Sequence, residues 1–227
     1  MGDAPVVTLD GPSGTGKGTV GRIVAARLGW HYLDSGAVYR VFGCMADDAD
    51  ISPHDIDGLT EFAAGLKMNF SSDAHEPKVF CNDRDLTAEI RTERCGELAS
   101  RYAVVAEVRA LLLGVQRAQR RPPGLVADGR DMGTTVFPDA PVKIYLHASA
   151  DERAERRYKQ LKAKGLDVNL ARLRRDMAER DARDAGRAVS PLAMAAGATR
   201  IDTTELSIEA VVAKVLAIVE AKVRPSP

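Results

Sequence analysis

Nine residues near the start of the chain restrict its folding more than any other feature: Gly11-Pro12-Ser13-Gly14-Thr15-Gly16-Lys17-Gly18-Thr19. They follow a β-branched apolar run, Val6-Val7-Thr8-Leu9, and precede Val20, Ile23, Val24 and Leu28 at helical spacing, with Gly29 as a stop. A glycine-rich turn between a buried strand and a helix is the context of a Walker A phosphate-binding loop. Its glycines let backbone N–H groups turn inward around phosphate oxygens, and the helix N-terminus adds a favourable dipole. Lys17 can then bridge donor and transferred phosphates. The common pattern places Ser or Thr directly after the lysine. Here Gly18 intervenes, so Thr19 is the residue expected to reach Mg²⁺. The plainer alternative, a connector without chemistry, has nine matching residues in the right context against it.

The remaining pattern alternates strands with helices. Trp30–Leu33, Leu125-Val126-Ala127, Val142–Leu146 and Thr199–Asp202 read as further short strands. Helices are expected over 37–47, from Ser52-Pro53 to about Leu66, over 104–115, from Ser149 to about Ala163, from Asn169 to Asp184, and after Ser207. Such alternation implies an α/β fold with a parallel sheet. Residues 67–90 break the rhythm: 67–70 and 78–81 alternate like strands around Ser71-Ser72-Asp73, which suggests a small antiparallel insert.

With 227 residues the chain suits one domain carrying small inserts. Its formal charge is zero and aromatics make up 5%, which argues against a nucleic-acid-binding coat. No run approaches the roughly 18 apolar residues of a membrane span. The opening Met1-Gly2-Asp3-Ala4-Pro5 has no signal-peptide pattern. Cys44, Cys81 and Cys95 match no metal spacing and are expected as free thiols, so the expected location is cytoplasmic. Arginine outnumbers lysine 23 to 9, and its fork of donors suits repeated phosphate contact. Residues 43–100 are net acidic and 101–187 net basic, so the basic stretch faces an anion or the acidic stretch.

A phosphate loop does not define a reaction. The Asn-Lys of a guanine motif is absent from the sequence, which disfavours a GTPase. Three further clusters bear on a second substrate. Leu33-Asp34-Ser35-Gly36-Ala37-Val38-Tyr39-Arg40 leaves the second strand, where ligands of open α/β sheets bind. Ala127-Asp128-Gly129-Arg130-Asp131-Met132-Gly133 leaves the third, with Asp128 placed to orient Mg²⁺, directly or through water. Glu179-Arg180-Asp181-Ala182-Arg183-Asp184-Ala185-Gly186-Arg187 closes the set. Arg153, Arg156 and Arg157 share one helical face and suit polyphosphate better than isolation; Arg153 and Arg157 are the preferred contacts. The four histidines are scattered and take no role.

At these clusters, and along essentially the whole chain, the sequence resembles the bacterial cytidylate kinases, one of the nucleoside monophosphate kinase families. Val136-Phe137-Pro138-Asp139-Ala140-Pro141-Val142-Lys143 adds to the likeness. The resemblance implies a P-loop kinase with a five-stranded parallel sheet flanked by helices, a small monophosphate-binding insert and a helical lid. By position it implies core at 1–34, 106–149 and 169–227, a monophosphate-binding region at 35–105 with its insert at about 60–98, and a lid at 150–168. It implies that Ser100, Arg109 and Asp131 contact cytosine, that Ser35, Arg40, Arg130 and Arg187 surround the substrate phosphate, and that Arg180 and Asp184 reach the ribose. It favours a monomer.

Hydrogen-bond chemistry agrees with the base assignment. Cytosine donates from its exocyclic amine and accepts at N3 and O2, matching a carboxylate and an arginine; uracil opposes both. The expected reaction is transfer of the γ-phosphoryl group of ATP to CMP or dCMP, with ATP and Mg²⁺ as co-substrate and cofactor. Lys17, Arg130, Arg153, Arg157 and Arg187 would neutralise charge on the transferring group. No membrane or nucleic-acid partner is expected. The rival readings are a kinase for another acceptor, such as UMP, and a nucleotide-binding module without turnover.

Overall fold

A computed structural model describes residues 4–70, 78–163 and 165–223. Five parallel strands form the central sheet in the order β2-β6-β1-β7-β8: β1 (Val6–Asp10), β2 (His31–Asp34), β6 (Leu125–Gly129), β7 (Val142–His147) and β8 (Thr199–Asp202). The α/β expectation and its five-stranded parallel sheet hold. Period-two alternation sorts the strand side chains onto the two faces. Val6 and Leu125 join Leu33, Val38, Phe42 and Tyr102 in one core, while Val7 and Val126 join Leu9, Val20, Val24, Ile144 and Val215 in the other. Burying each such side chain contributes roughly 1.5–3 kcal/mol, so neither face tolerates a one-residue slip.

Helices α1 (Lys17–Leu28) and α8 (Ile208–Val223) cover the second face. On the first lie α2 (Ser35–Asp48), α3 (Ile56–Ala64), α4 (Glu93–Tyr102) and α5 (Ala106–Arg117). Phe42 of α2 meets Tyr102 of α4 edge-on at 5.9 Å. A second, antiparallel sheet is made of β3 (Met68–Phe70), β4 (Val79–Cys81) and β5 (Arg84–Asp85). The turn expected at Ser71-Ser72-Asp73 lies outside the described residues, as do Met1–Asp3. Helices α6 (Ala150–Ala163) and α7 (Leu170–Ala185) pack on each other. Among the described residues no helix is long and apolar enough to cross a membrane.

Three expectations change. Helix α3 starts after Asp55, whose carboxylate accepts the Gly58 N–H at 2.9 Å, and not at the Ser52-Pro53 pair. Helix α4 escaped the sequence reading although Thr92 caps it, accepting the Cys95 N–H. Cys44 and Cys95, expected as free thiols, form a disulfide with a Cα separation of 5.6 Å; Cys81 alone is free, and buried. The reason lies in the neighbouring residue. Gly43 lets α2 and α4 approach so closely that a Cβ there would sit 3.0 Å from the Leu98 carbonyl carbon. Sequence spacing carries no trace of that approach.

Candidate active site

From β1 the chain crosses to β2 on one side, and from the neighbouring β7 it crosses to β8 on the other, so the connections leave the carboxyl ends of these two strands in opposite directions. Crevices at such points hold ligands in open α/β sheets. Register puts Leu9 beside Asp128 and Asp10 beside Gly129, with Asp34 beside Asp128 one strand further on. The residues that follow β1, β2 and β6 therefore share one edge. They line a cavity of about 900 Å³ together with α4 and α7.

The phosphate loop bends back over this edge. Gly16 is in the left-handed region at φ 89°, where a side chain would be strained, and it starts α1. Gly14, at φ 80°, has Arg153 so near that an added Cβ would be 2.9 Å from the arginine's own Cβ. Lys17 Nζ donates to the Pro12 carbonyl at 2.8 Å and Thr15 Oγ1 to the same oxygen at 3.1 Å, closing the loop on itself. Burial and the nearby Arg130 pull the Lys17 ammonium below its ordinary pKa. Asp128 is pushed the other way by burial, with Lys17 opposing. Tyr32 donates to Asp128 at 3.1 Å, and Gly18 leaves space beside that carboxylate. Thr19 lines the same cavity.

Beyond Asp128 the basic residues converge. Arg130 Nη2 donates to Ser13 Oγ at 2.7 Å and its Nε to Asp184 at 2.9 Å. Asp184 also accepts from Arg187. Burial alone would raise the Asp184 carboxyl, but Arg130, Arg187 and Arg180 hold it below the usual range. Arg180 falls to about 10 through burial and the charge of Arg130. Arg153 donates to the Ser13 carbonyl at 3.1 Å and to Asp181 at 2.6 Å, fastening α6 to the loop and to α7. Arg157 instead reaches Glu93 at the start of α4. Arg40 lies 3.7 Å from Asp34. Arg156 turns away to Glu152, Thr203 and Thr204.

Across the cavity Arg109 donates to Asp131, both almost fully buried, and its guanidinium lies 5.4 Å from the Tyr39 ring centre. Buried polar atoms are ordinarily hydrogen-bonded. Among the buried polar atoms without a partner in the described residues are Ser100 Oγ and the Nε atoms of Arg109, Arg180, Arg183 and Arg187, and these five residues line this cavity. The expected site residues are thus brought together: phosphate loop, Asp128, the arginines, and the Arg109–Asp131 pair with Ser100.

Several neighbours had no signal in the sequence. Gln116 accepts the Ser35 hydroxyl proton at 2.7 Å, leaving that oxygen only lone pairs for a ligand. Tyr32, Glu93 and Glu97 also become site residues through tertiary contact alone, Glu97 by a bidentate pair with Arg183. Asp10 accepts two backbone N–H groups from the loop after β6.

The family model described as cytidylate kinase matches residues 7–221. A cytidylate kinase of Methylococcus capsulatus is 52% identical over 217 residues, covering 96% of this chain and 97% of that one. One from Colwellia psychrerythraea is 53% identical over 219 residues, covering 96% and 97%. Among solved structures, a gluconokinase from Sinorhizobium meliloti 1021 aligns over 96% of this chain and 93% of its own, at 15% identity and a TM-score of 0.45.

Proposed function

The chain belongs to the cytidylate kinase family, and we propose that it transfers the γ-phosphoryl group of ATP to CMP or dCMP, giving ADP and CDP or dCDP. The observation that carries this reading is the buried Arg109–Asp131 pair with the partnerless Ser100 Oγ, in one cavity with Lys17. Those groups offer an acceptor for the cytosine amine and donors for N3 and O2, and they leave uracil mismatched.

In this reading Gly11, Pro12, Ser13, Gly14, Thr15, Gly16, Lys17, Gly18 and Thr19 cradle the ATP phosphates. Arg40, Arg130 and Arg187 receive the acceptor phosphate, and Arg180 and Asp184 the sugar. Ser35 shifts from the phosphate to the sugar side, because its proton is committed to Gln116 and its lone pairs suit a hydroxyl better than an anion. The acceptor phosphate is already ionised near neutrality, so no strong general base is needed. Lys17, Arg130, Arg153, Arg157 and Arg187 position and neutralise the equatorial oxygens of an in-line transfer. Mg²⁺, when bound with ATP, would supply further neutralisation of phosphate charge. Thr19 and the Asp128 carboxylate, beside the phosphate loop, are the residues with the oxygen donors to hold it, directly or through water.

The division into core, monophosphate-binding region (35–105) and lid (150–168) belongs to the same reading, with lid closure keeping water from ATP. So does a cytoplasmic monomer with small nucleotides as its substrates. The test is ADP release with ATP and Mg²⁺ against CMP, dCMP, UMP, AMP and no acceptor. Strong turnover with CMP and dCMP and weak turnover with UMP is expected. Equal rates with UMP would defeat the base assignment, and acceptor-independent behaviour would defeat the kinase reading altogether.

A further inference from the structure

Resting on that reading, we propose that Asp10 is a positioning residue for base selection: its carboxylate sets the loop that presents Asp131 to the cytosine amine. Asp10 ends β1 and is 2% exposed. Its two oxygens each take one of two consecutive backbone donors, Met132 N–H on Oδ1 at 2.8 Å and Gly133 N–H on Oδ2 at 2.8 Å. Fixing both N–H directions fixes the peptide planes on either side of Met132. The plane between Asp131 and Met132 determines where the Asp131 side chain points. The chain leaves β6 at Gly129 and then enters a single π-helical turn over Met132–Val136, and among the described residues Asp10 is the sheet residue whose side chain accepts from the backbone of that turn.

The contact is close as well as polar. A Cβ on Gly133 would lie 2.9 Å from Thr8 Oγ1 and 3.2 Å from Asp10 Oδ2, so the turn rests directly on β1. Only a group with two acceptor oxygens satisfies both donors. An asparagine has the same shape, but its NH₂ would face one of the N–H groups and release half of the clamp. Asp131 would then swing, and the partner of the cytosine amine would be lost while phosphate binding by Lys17 and the arginines stayed in place.

The experiment compares kcat and KM for CMP and for UMP in wild type, Asp10→Asn and Gly133→Ala, each full-length with ATP and Mg²⁺. Wild-type preference for CMP over UMP establishes the underlying reading; without it, that reading and this proposal fall together. Given that preference, Asp10→Asn is expected to reduce the CMP/UMP ratio of kcat/KM by about tenfold or more, chiefly by raising KM for CMP. A folded variant that loses both activities equally, or neither, keeps the ratio and overturns the role of Asp10. Gly133→Ala pushes the same turn off the carboxylate without touching Asp10. It is expected to shift the ratio in the same direction, and it decides the matter should Asp10→Asn not fold; an unchanged ratio there is likewise fatal.

Discussion

In the proposed function Asp131 has two roles, base contact and ion pairing, that a single substitution separates poorly, because its partner Arg109 is also buried. Removing one side of a buried ion pair leaves the other uncompensated and costs about 3–5 kcal/mol. Asp131→Ala is therefore expected to lower stability as well as CMP turnover, whereas Asp131→Asn keeps an acceptor oxygen for Arg109. With Asn, urea denaturation should report a smaller loss, and kcat/KM for CMP should still fall by about 100-fold, since the amide also presents a donor to the cytosine amine. Asp10 offers the complementary case. Burial raises its carboxyl from 3.8 to about 7, against the N–H groups of Gly133 and Met132; Asp131 adds to the rise and Lys17 opposes it, while Tyr145 of β7 also faces the group. Below about pH 4 it is protonated folded or unfolded. Between pH 4 and 7 the folded state retains a proton that the unfolded chain has released, so this group's contribution to stability falls as pH rises, by about 4 kcal/mol at most. Asp10→Asn lacks that dependence. Denaturation at pH 5 and pH 8 should show the variant gaining on wild type at the higher pH, even as it loses selectivity. A variant whose deficit grows with pH would contradict the raised pKa.

At the scale of elements, legibility followed locality. Strand β1, the phosphate loop and α1 are contiguous, and each has its own signal in apolar run, glycines and helical spacing, so the whole unit was readable from residues 6–29. The Ser149 and Ser207 caps were equally local, and both accept the expected N–H bonds, at 3.2 Å from Glu152 and 3.2 Å from Ala210. Helix α4 was missed although Cys95, Leu98, Ala99 and Tyr102 keep helical spacing, because its polar face of Glu93, Arg94, Glu97 and Arg101 resembles a loop. The disulfide was unreadable for a different reason: it depends on how near α2 and α4 lie, which Gly43 permits. That closeness has a consequence for the site. Residues Leu98 and Ala99, which a Gly43 side chain would meet at 3.0–3.2 Å, directly precede Ser100. Backbone cannot rotate aside as a side chain can, so Gly43→Ala must move α4. It is expected to cost about 1–3 kcal/mol by thermal unfolding and to raise KM for CMP while leaving KM for ATP within about twofold. An unaltered KM for CMP would show that α4 does not set the base end of the cavity.

For the whole molecule, the charge asymmetry between the acidic 43–100 stretch and the basic 101–187 stretch resolves in one of the two ways expected of it. Part of the basic stretch faces the acidic one: Arg183 holds Glu97 through both oxygens, and Arg157 holds Glu93. These contacts join α7 and α6 to α4 beside the cavity that Lys17, Arg40, Arg130 and Arg187 also line. The other destination, a polyphosphate in the proposed function, would have to compete with Glu93 for Arg157. Burial and the like charge of Arg40 already lower the pKa of Arg157, so a denser anion is a favourable exchange. Glu93 is more than half exposed, and exposed ion pairs are worth about 0–1 kcal/mol, which limits the competition to roughly fivefold in affinity. Glu93→Gln is accordingly expected to tighten binding of a non-hydrolysable ATP analogue by about two- to fivefold in calorimetry at low salt. The advantage should shrink at high salt, where the wild-type pair is itself screened. Unchanged affinity at both salt concentrations would mean that Arg157 stays on α4 when nucleotide binds, and the protein charge reaching the transferring phosphate would then have to come from Arg187, Arg153, Arg130 and Lys17.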